Sequence, residues 1–363
     1  MFRKRLVTLL VLTMTCDAVG AANVVLTMVG GGNQFHASDS VSRYDPLTVM
    51  AMDESGAPVP GVAVRFSLNS PRGDVVAVDG KERLVTTDHL GKASWSDLVV
   101  TAGDGLFSVT AKLASTIERS VSFVLGRLTP QFSSGCPLPV AARQTRTTIR
   151  TMANPGAVNA PVEIIAEFTD IVSTPAVNVI DAYVGITSDG KVISSEKLTT
   201  SSGRSVSAMA DLAPGVHILK AMLIPNCTYV GSASEDLYQS VASGAGPTGD
   251  FTDMWWKPSE SGWGMSVIQH ASGQLFVVWF HYRDDGSAQW MVIPGGVWTS
   301  PMNFMGTIYR TTGPALGGVF DPSRVSVMPV GVATVAFTDS NSGAFIWSID
   351  GAQGVRSISR QPF

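Results

Sequence analysis

Apolar residues recur at every second position in short runs along most of this chain. Val62, Val64, Phe66 and Leu68 alternate with Ala63, Arg65 and Ser67, a period of two that marks a half-buried strand. Further β-rich runs lie at 24–29, 47–52, 105–111 and 120–125. Turn chemistry separates them, as in Asp53-Glu54-Ser55-Gly56-Ala57-Pro58-Val59-Pro60-Gly61 and Thr87-Asp88-His89-Leu90-Gly91. Short strands at this spacing predict a β-sandwich over 23–126.

After a linker at 127–136, the runs 147–150, 162–168, 182–187, 205–212, 216–223 and 237–241 read as the strands of a second domain over 137–243. A Gly/Pro linker at 244–249 follows. It contains Gly244-x-Gly246-x-x-Gly249, but a Pro interrupts it and strand-like sequence lies on both sides. It is therefore not the dinucleotide turn, which needs a strand before it and a helix after it. From 250 to 363 the strand candidates are 262–270, 274–282, 288–293, 303–310, 325–337, 344–349 and 355–359. Asp284-Asp285-Gly286-Ser287 and Ser340-Asn341-Ser342-Gly343 join neighbours as hairpins. Seven or eight such strands predict an antiparallel meander closing as a small β-barrel or sandwich. The fold class is thus all-β.

Composition agrees. Hydrophobic residues make up 45% and charged residues only 15%, and the deficit falls on helix-favouring Glu and Lys. A formal charge of −4 without a basic run beyond the first residues argues against a nucleic-acid partner. Arg3, Lys4 and Arg5, the apolar run 6–15 and Val19-Gly20-Ala21 form a secretory signal peptide over 1–21. No later segment is apolar enough to span a membrane. The expected location is secreted or at the cell surface, with the periplasm as runner-up.

Three stretches resemble known modules. Asp53…Gly56-x-Pro58-Val59-x-Gly61-Val62, Thr87-Asp88-x-x-Gly91-x-Ala93 and Gly105-x-Phe107-x-Val109-Thr110-Ala111 resemble the group 1 bacterial immunoglobulin-like domain of invasin and intimin adhesins. Leu212-Ala213-Pro214-Gly215-Val216-His217 with Leu237-x-Gln239-x-Val241 resembles another bacterial Ig-like repeat, more loosely. Trp255-Trp256-x-Pro258-x-Glu260-Ser261-Gly262-Trp263-Gly264, with Trp279-Phe280-x-Tyr282, Trp290, Tyr309-Arg310-Thr311-Thr312-Gly313-Pro314 and Arg360-Gln361-x-Phe363, resembles a module at the ends of many exported proteobacterial proteins. The first two resemblances imply Ig-like sandwiches, often used as spacers; the third brings no catalytic residue with it. In an Ig-like sandwich, Cys136 before the first strand and Cys227 before the last would lie at one pole. A disulfide between them is expected, worth ~3–5 kcal/mol if unstrained.

The C-terminal module holds Trp255, Trp256, Trp263, Trp279, Trp290, Trp298 and Trp347, all but one of the tryptophans. Two readings stand for them: they fill a small β core, or some line a cleft and stack on sugar rings or an apolar ligand. Trp255, Trp256 and Trp263, which flank one short Gly-Ser turn, are the candidates, with Glu260, Asp284 and Arg310 as polar partners. Glu260 with Asp284 or Asp285 would imitate a glycosidase pair only at a fixed separation, which the sequence does not supply. No histidines stand at a metal-ligand spacing, though His270 and His281 could meet across a hairpin. Arg72-Gly73-Asp74 reads as an ordinary loop turn. The last residues lack an outer-membrane barrel signal, and 262–270 and 274–282 read as lacking a lipid-facing band. No cofactor is expected. The sequence points to an exported, non-catalytic binding or adhesion protein whose Ig-like modules space an aromatic module towards a glycan, protein or envelope partner. A purely structural envelope protein and a glycan hydrolase are the alternatives.

Overall fold

The computed structural model describes residues 24–38, 41–114, 120–128, 142–172, 177–199, 205–315, 317–318, 320–350 and 352–362. The signal peptide expected over 1–21 lies outside them. The described chain is β-structure throughout, with two short 3₁₀ turns and no α-helix. No helix among the described residues is long and apolar enough to cross a membrane.

Module one is an Ig-like sandwich. A sheet of Val25–Gly30, Leu47–Met52 and Lys92–Trp95 faces a five-stranded sheet built on Gly105–Leu113, Ser120–Leu128 and Ala63–Asn69. The expected alternation appears in Ala63–Asn69, where Val64, Phe66 and Leu68 are buried against Trp95 and Phe123. Gln34–Ala37 pairs in parallel with Ser120–Leu128, so the first stretch of chain crosses from one sheet to the other. Module two repeats the architecture. Thr145–Thr151, Val162–Asp170 and Ser205–Ala210 face Ala182–Ser188, Lys191–Leu198, Gly215–Leu223 and Leu237–Val241 around Phe168, Ile186 and Leu219. Cys227 lies in the turn before Tyr229 and is not a free thiol. Cys136 lies outside the described residues, so their pairing remains an expectation.

The C-terminal module is a closed barrel. Its strands, in chain order, are β1 (Asp253–Trp256), β2 (Gly264–Gln269), β3 (Leu275–Tyr282), β4 (Ala288–Ile293), β5 (Asn303–Thr312), β6 (Ser326–Phe337), β7 (Ser342–Ile349) and β8 (Ala352–Arg360). Each pairs antiparallel with the next. β8 returns to β1 through Trp255↔Arg360, and β4 meets β5 at Val292↔Tyr309. The short strand Val297–Ser300 pairs with β5 outside this circuit. β1 was read from sequence as a ligand-facing aromatic motif; it is the strand that closes the barrel. Val297–Ser300 was not foreseen.

The β4–β5 join needs glycine. A Cβ on Gly296 would lie 2.1 Å from the Met305 carbonyl oxygen, and one on Gly306 would lie 2.4 Å from Ile293 Cγ2. The interior is filled, not hollow: Phe251, Trp255, Met265, Val277, Trp279, Phe304, Ile308, Val335, Phe337 and Phe345 form one core. Phe251 stacks on Phe337 at 3.8 Å between ring centroids, and Trp255 and Trp298 tilt against the same ring.

The modules pack on one another. Leu106 and Val124 of module one meet Tyr183, Val192 and Ile224 of module two. Val216, Ile218 and Tyr238 of module two meet Val297, Met305 and Val332 of the barrel. Glu54 of module one reaches β8, accepting from the Ser357 N–H at 2.9 Å and the Ser357 hydroxyl at 3.1 Å. The sequence reads the Ig-like modules as spacers for the aromatic module; the structure folds the three so that each touches the other two.

Candidate functional site

In an up-and-down barrel, the connections after β1, β3, β5 and β7 emerge at one end and form a rim. Five of the six sequence candidates belong to it. Trp256 ends β1, and Glu260 and Trp263 lie in the connection that follows. Asp284 lies in the exposed tip between β3 and β4, and Arg310 stands near the end of β5.

Trp255 is the exception and corrects the cleft reading. It is fully buried (0% exposed) in the barrel core, its indole Nε1 donates to the Phe251 carbonyl at 3.0 Å, and the Arg360 guanidinium lies 5.2 Å from its ring. No face of it remains for a ligand. Trp256, the next residue, points to the opposite side of the strand, half-buried, with its Nε1 unpartnered.

Glu260 is committed to holding the rim. Pro258 starts the one-turn 3₁₀ segment Pro258–Glu260 because its fixed φ suits a first helical position. Lys257 Nζ then lies 2.8 Å from Glu260 Oε1, while Trp263 Nε1 (3.0 Å) and Arg356 Nε (3.2 Å) donate to Oε2. Burial pushes the Glu260 carboxyl up, but the bonds from Lys257 and Trp263 and the nearby cations outweigh it and hold the group below its ordinary value. Lys257 also reaches Glu54 of module one at 3.4 Å, so the rim and the module-one clamp share one ion network. Arg310 Nη2 lies 3.2 Å from Asp350 Oδ2. Asp284 is carried on a turn that Asp285 makes by accepting from the Ser287 N–H at 2.8 Å.

Inside this rim lies a layer that the sequence reading passed over. Trp279 and His281 are successive inward positions of β3, and their rings stack at 4.4 Å. Trp347 of β7 tilts against Trp279 at 5.3 Å and lies under the Arg356 guanidinium at 5.6 Å. Gly354 makes room for Trp347: a Cβ there would stand 2.1 Å from the indole. Three buried polar atoms here have no partner: Trp279 Nε1, His281 Nε2 and Arg310 Nε. An unmet buried donor or acceptor costs ~1–3 kcal/mol, which makes a cluster of them informative. Burial first, then the Arg310 and Arg283 charges, push His281 down against the bond to the Tyr282 carbonyl, so the ring is neutral near pH 7. His270 and His281, read as able to meet across a hairpin, lie at opposite ends of the barrel, because Gln269 pairs with Leu275 and His281 with Gln289.

The outer wall holds the second feature. Ile268 pairs across strands with Phe276, Val278 with Val292, and Phe280 with Trp290. Ile268 (52%), Phe276 (41%), Phe280 (42%), Tyr282 (56%) and Trp290 (53%) are exposed on β2, β3 and β4. These strands, read as lacking an outward apolar band, carry one. Elsewhere on the wall, Met305 and Val332 on β5 and β6 are covered by module two and Ser357 on β8 is held by module one, while Val327 and Met328 at the start of β6 are exposed. The signal was present in β3, Leu275-Phe-Val-Val-Trp-Phe-His-Tyr282, where inward and outward positions alike are apolar or aromatic until His281.

A cleft of about 420 Å³ lies between modules one and two, lined by Asn69, Ser70, Lys81, Lys191, Met209 and Asp211 among others. The Arg72-Gly73-Asp74 turn stands beside it, exposed, with Lys81 Nζ 3.3 Å from the Gly73 carbonyl.

No family model matches this chain, and no curated sequence does. Among solved structures, it is similar to Salmonella alpha-2-macroglobulin reacted with methylamine (12% identity, 93% of this chain, 23% of that chain, TM-score 0.24). It is also similar to domains 5-6 of the S-layer protein SbsC (14% identity, 60% of this chain, 99% of that chain, TM-score 0.19) and to the BSP domain of a biofilm associated protein (9% identity, 61% and 30%, TM-score 0.18). This chain spans about 23% of the length of the alpha-2-macroglobulin. Likeness at that level carries nothing about what the chain does. The invasin/intimin resemblance of 23–126 rests on the residues quoted for it.

Proposed function

We propose that this is an exported, non-catalytic binding protein, and that the outer wall over β2–β4 is its contact surface for another protein outside the cytoplasm. The exposed aromatic ladder carries this reading. Four aromatic side chains of ~150–250 Å² each, roughly half exposed, plus Ile268, present about 400–500 Å² of apolar surface. A standard interface buries ~800 Å² per partner, a little over half of it apolar, so the ladder supplies the apolar part of one such contact. Its outward positions carry no charge and few hydrogen-bonding groups, which suits an apolar protein face better than a hydroxyl-rich polymer. The ionised, ion-paired state of Glu260 supports a non-catalytic reading over a glycosidase, whose acid needs a raised pKa. The two sandwiches pack against β5, β6 and β8 and leave this side open.

The test compares retention of the full mature chain and of its Phe280→Ser/Trp290→Ser double variant on intact cells and isolated envelope protein. The double variant should keep its melting temperature within a few degrees and lose at least tenfold in retention, the loss of two aromatic anchors at an interface being worth ~2 kcal/mol or more. Equal retention of the two proteins would end the proposal.

A further inference from the structure

We propose that the cleft between modules one and two binds a uronate, a sugar ring carrying one carboxylate, held between Lys81 of module one and Lys191 of module two. This does not rest on the outer-wall reading.

The cleft is accessible and its walls are fixed. Lys81, Lys191, Met209 and Asp211 are exposed within it, and its volume of about 420 Å³ suits a small molecule, whose sites occur preferentially between domains. Other wall residues are anchored in packed interiors: Leu68 in the module-one core, Ala210 in the module-two core and Val192 in the apolar seam between them. Lys191 is held on both sides. Before it, Asp189 (φ 52°) and Gly190 (φ 76°) make a tight turn that rests on module one, where a Cβ on Gly190 would lie 3.2 Å from Ser122 Cβ. After it, the Val192 N–H donates to Ser108 Oγ at 3.2 Å. Lys81 is fixed through its carbonyl, which accepts from the Leu68 N–H at 2.7 Å.

The lining defines the chemistry. Among the described residues neither ammonium meets a carboxylate: Lys81 Nζ reaches only the Gly73 carbonyl, at 3.3 Å, while the neighbouring Glu82 is taken by Arg65 and Asp189 by His217. Asp211 supplies the carboxylate of the lining, so two positive charges stand against one negative. A monoanion balances that excess. A dianion such as phosphate overshoots it and meets Asp211, and a cation meets two ammonium groups. The remaining polar groups are acceptors. Asn69 Nδ2 is spent on the Ser67 carbonyl (2.9 Å) and Thr110 Oγ1 (3.3 Å), which leaves Oδ1, and Ser70 Oγ already donates to Asp74 at 2.9 Å. With Asp211 they call for O–H donors beside the ligand's negative charge. A uronate carries both on one stiff ring. An acidic peptide carries its carboxylates on flexible side chains and loses more freedom on binding.

The experiment titrates the full mature chain by calorimetry with tri-galacturonate, the neutral galactose trisaccharide, tri-glutamate and inorganic phosphate. Tri-galacturonate should bind with a Kd of about 1 mM or tighter, more weakly at high salt, and the other three at least about tenfold more weakly. Lys81→Gln and Lys191→Gln should each weaken it roughly fivefold, the upper worth of an exposed ion pair, and Asp211→Asn should tighten it. All three side chains are exposed, so melting temperatures should not move. Lys112→Gln, at the far end of the strand that pairs Ser108 with Asn69, should bind like wild type and separates a site from diffuse charge. Phe280→Ser/Trp290→Ser should also bind like wild type, which keeps the cleft distinct from the outer wall. The proposal is overturned if tri-galacturonate does not bind, if the neutral sugar, tri-glutamate or phosphate binds as well, or if both lysine variants bind as wild type does.

Discussion

His217 stands where module two approaches the barrel, and both of its ring nitrogens face acceptors. Nδ1 is 2.7 Å from Asp189 Oδ2, and Nε2 is 2.7 Å from the Ala213 carbonyl. Only the imidazolium can donate to both. Burial pushes the ring's pKa down, but the bond and charge of Asp189 outweigh it and the value ends raised. A raised folded-state value means stability that is fully present below the unfolded value of ~6.5 and is lost as pH rises through the folded one. Urea midpoints measured from pH 5.5 to 8.5 should therefore fall with pH more steeply in wild type than in His217→Gln. Glu54 works the other way. Burial pushes its carboxyl up, yet Ser357 and Lys257 hold it below its ordinary value, so its contribution is present above the unfolded pKa and fades as pH falls through the folded one. Glu54→Gln should flatten the acid limb of the same curve. Neither role was visible in the sequence, because each partner lies far along the chain: Asp189 for His217, and Ser357, a module away, for Glu54.

At the scale of strands, the barrel was largely legible. Seven of its strands follow from alternating apolar positions and two hairpin turns, because inward side chains must be apolar in a small filled barrel. What misled was aromatic density. Trp255-Trp256 looked like an exposed platform because three indoles flank one turn, whereas a closing strand needs one large ring inward, and Trp255 supplies it. Trp255→Ala should cost ~3–5 kcal/mol in chemical denaturation, as for other buried tryptophans. Conversely, the unbroken apolar run of β3 was read as strand and not as two-faced strand. Period two assigns residues to faces, but only the packing of neighbouring modules decides which outer faces stay open. Gly354 is a stricter case. With Trp347 filling the place its Cβ would take, Gly354→Ala should destabilise by ~1–3 kcal/mol and alter the near-ultraviolet circular dichroism of the indole. An unchanged spectrum would mean Trp347 does not sit over that strand.

For the whole molecule, three strand sets are separated near 128, 145, 241 and 253; the divisions read from sequence, at 126, 137, 243 and 250, rest on strand runs, the Gly/Pro linker and the tryptophan-rich composition of the last module. Their mutual packing had no sequence signature, since Leu106, Tyr183 and Val216 read as ordinary strand residues whether they face a core or another module. The Glu54 clamp makes the arrangement testable. Glu54→Ala should leave each core intact but raise the radius of gyration by small-angle scattering and open the module-one–barrel seam to protease. An unchanged scattering curve would place the hold elsewhere, in the apolar contacts on either side of module two. The Cys136–Cys227 pairing expected from sequence is checked by mass under non-reducing conditions, where the mature chain should weigh two hydrogens less than its reduced form.

The strand Val25–Gly30 of the first module lies beside β8, the last of the barrel. Three domains strung in line would extend one after another under tension, like beads on a cord. Here a pull on the two ends is borne first by that lateral contact, and the middle domain is shielded until it parts. The assembly behaves as a buckle and not as a chain.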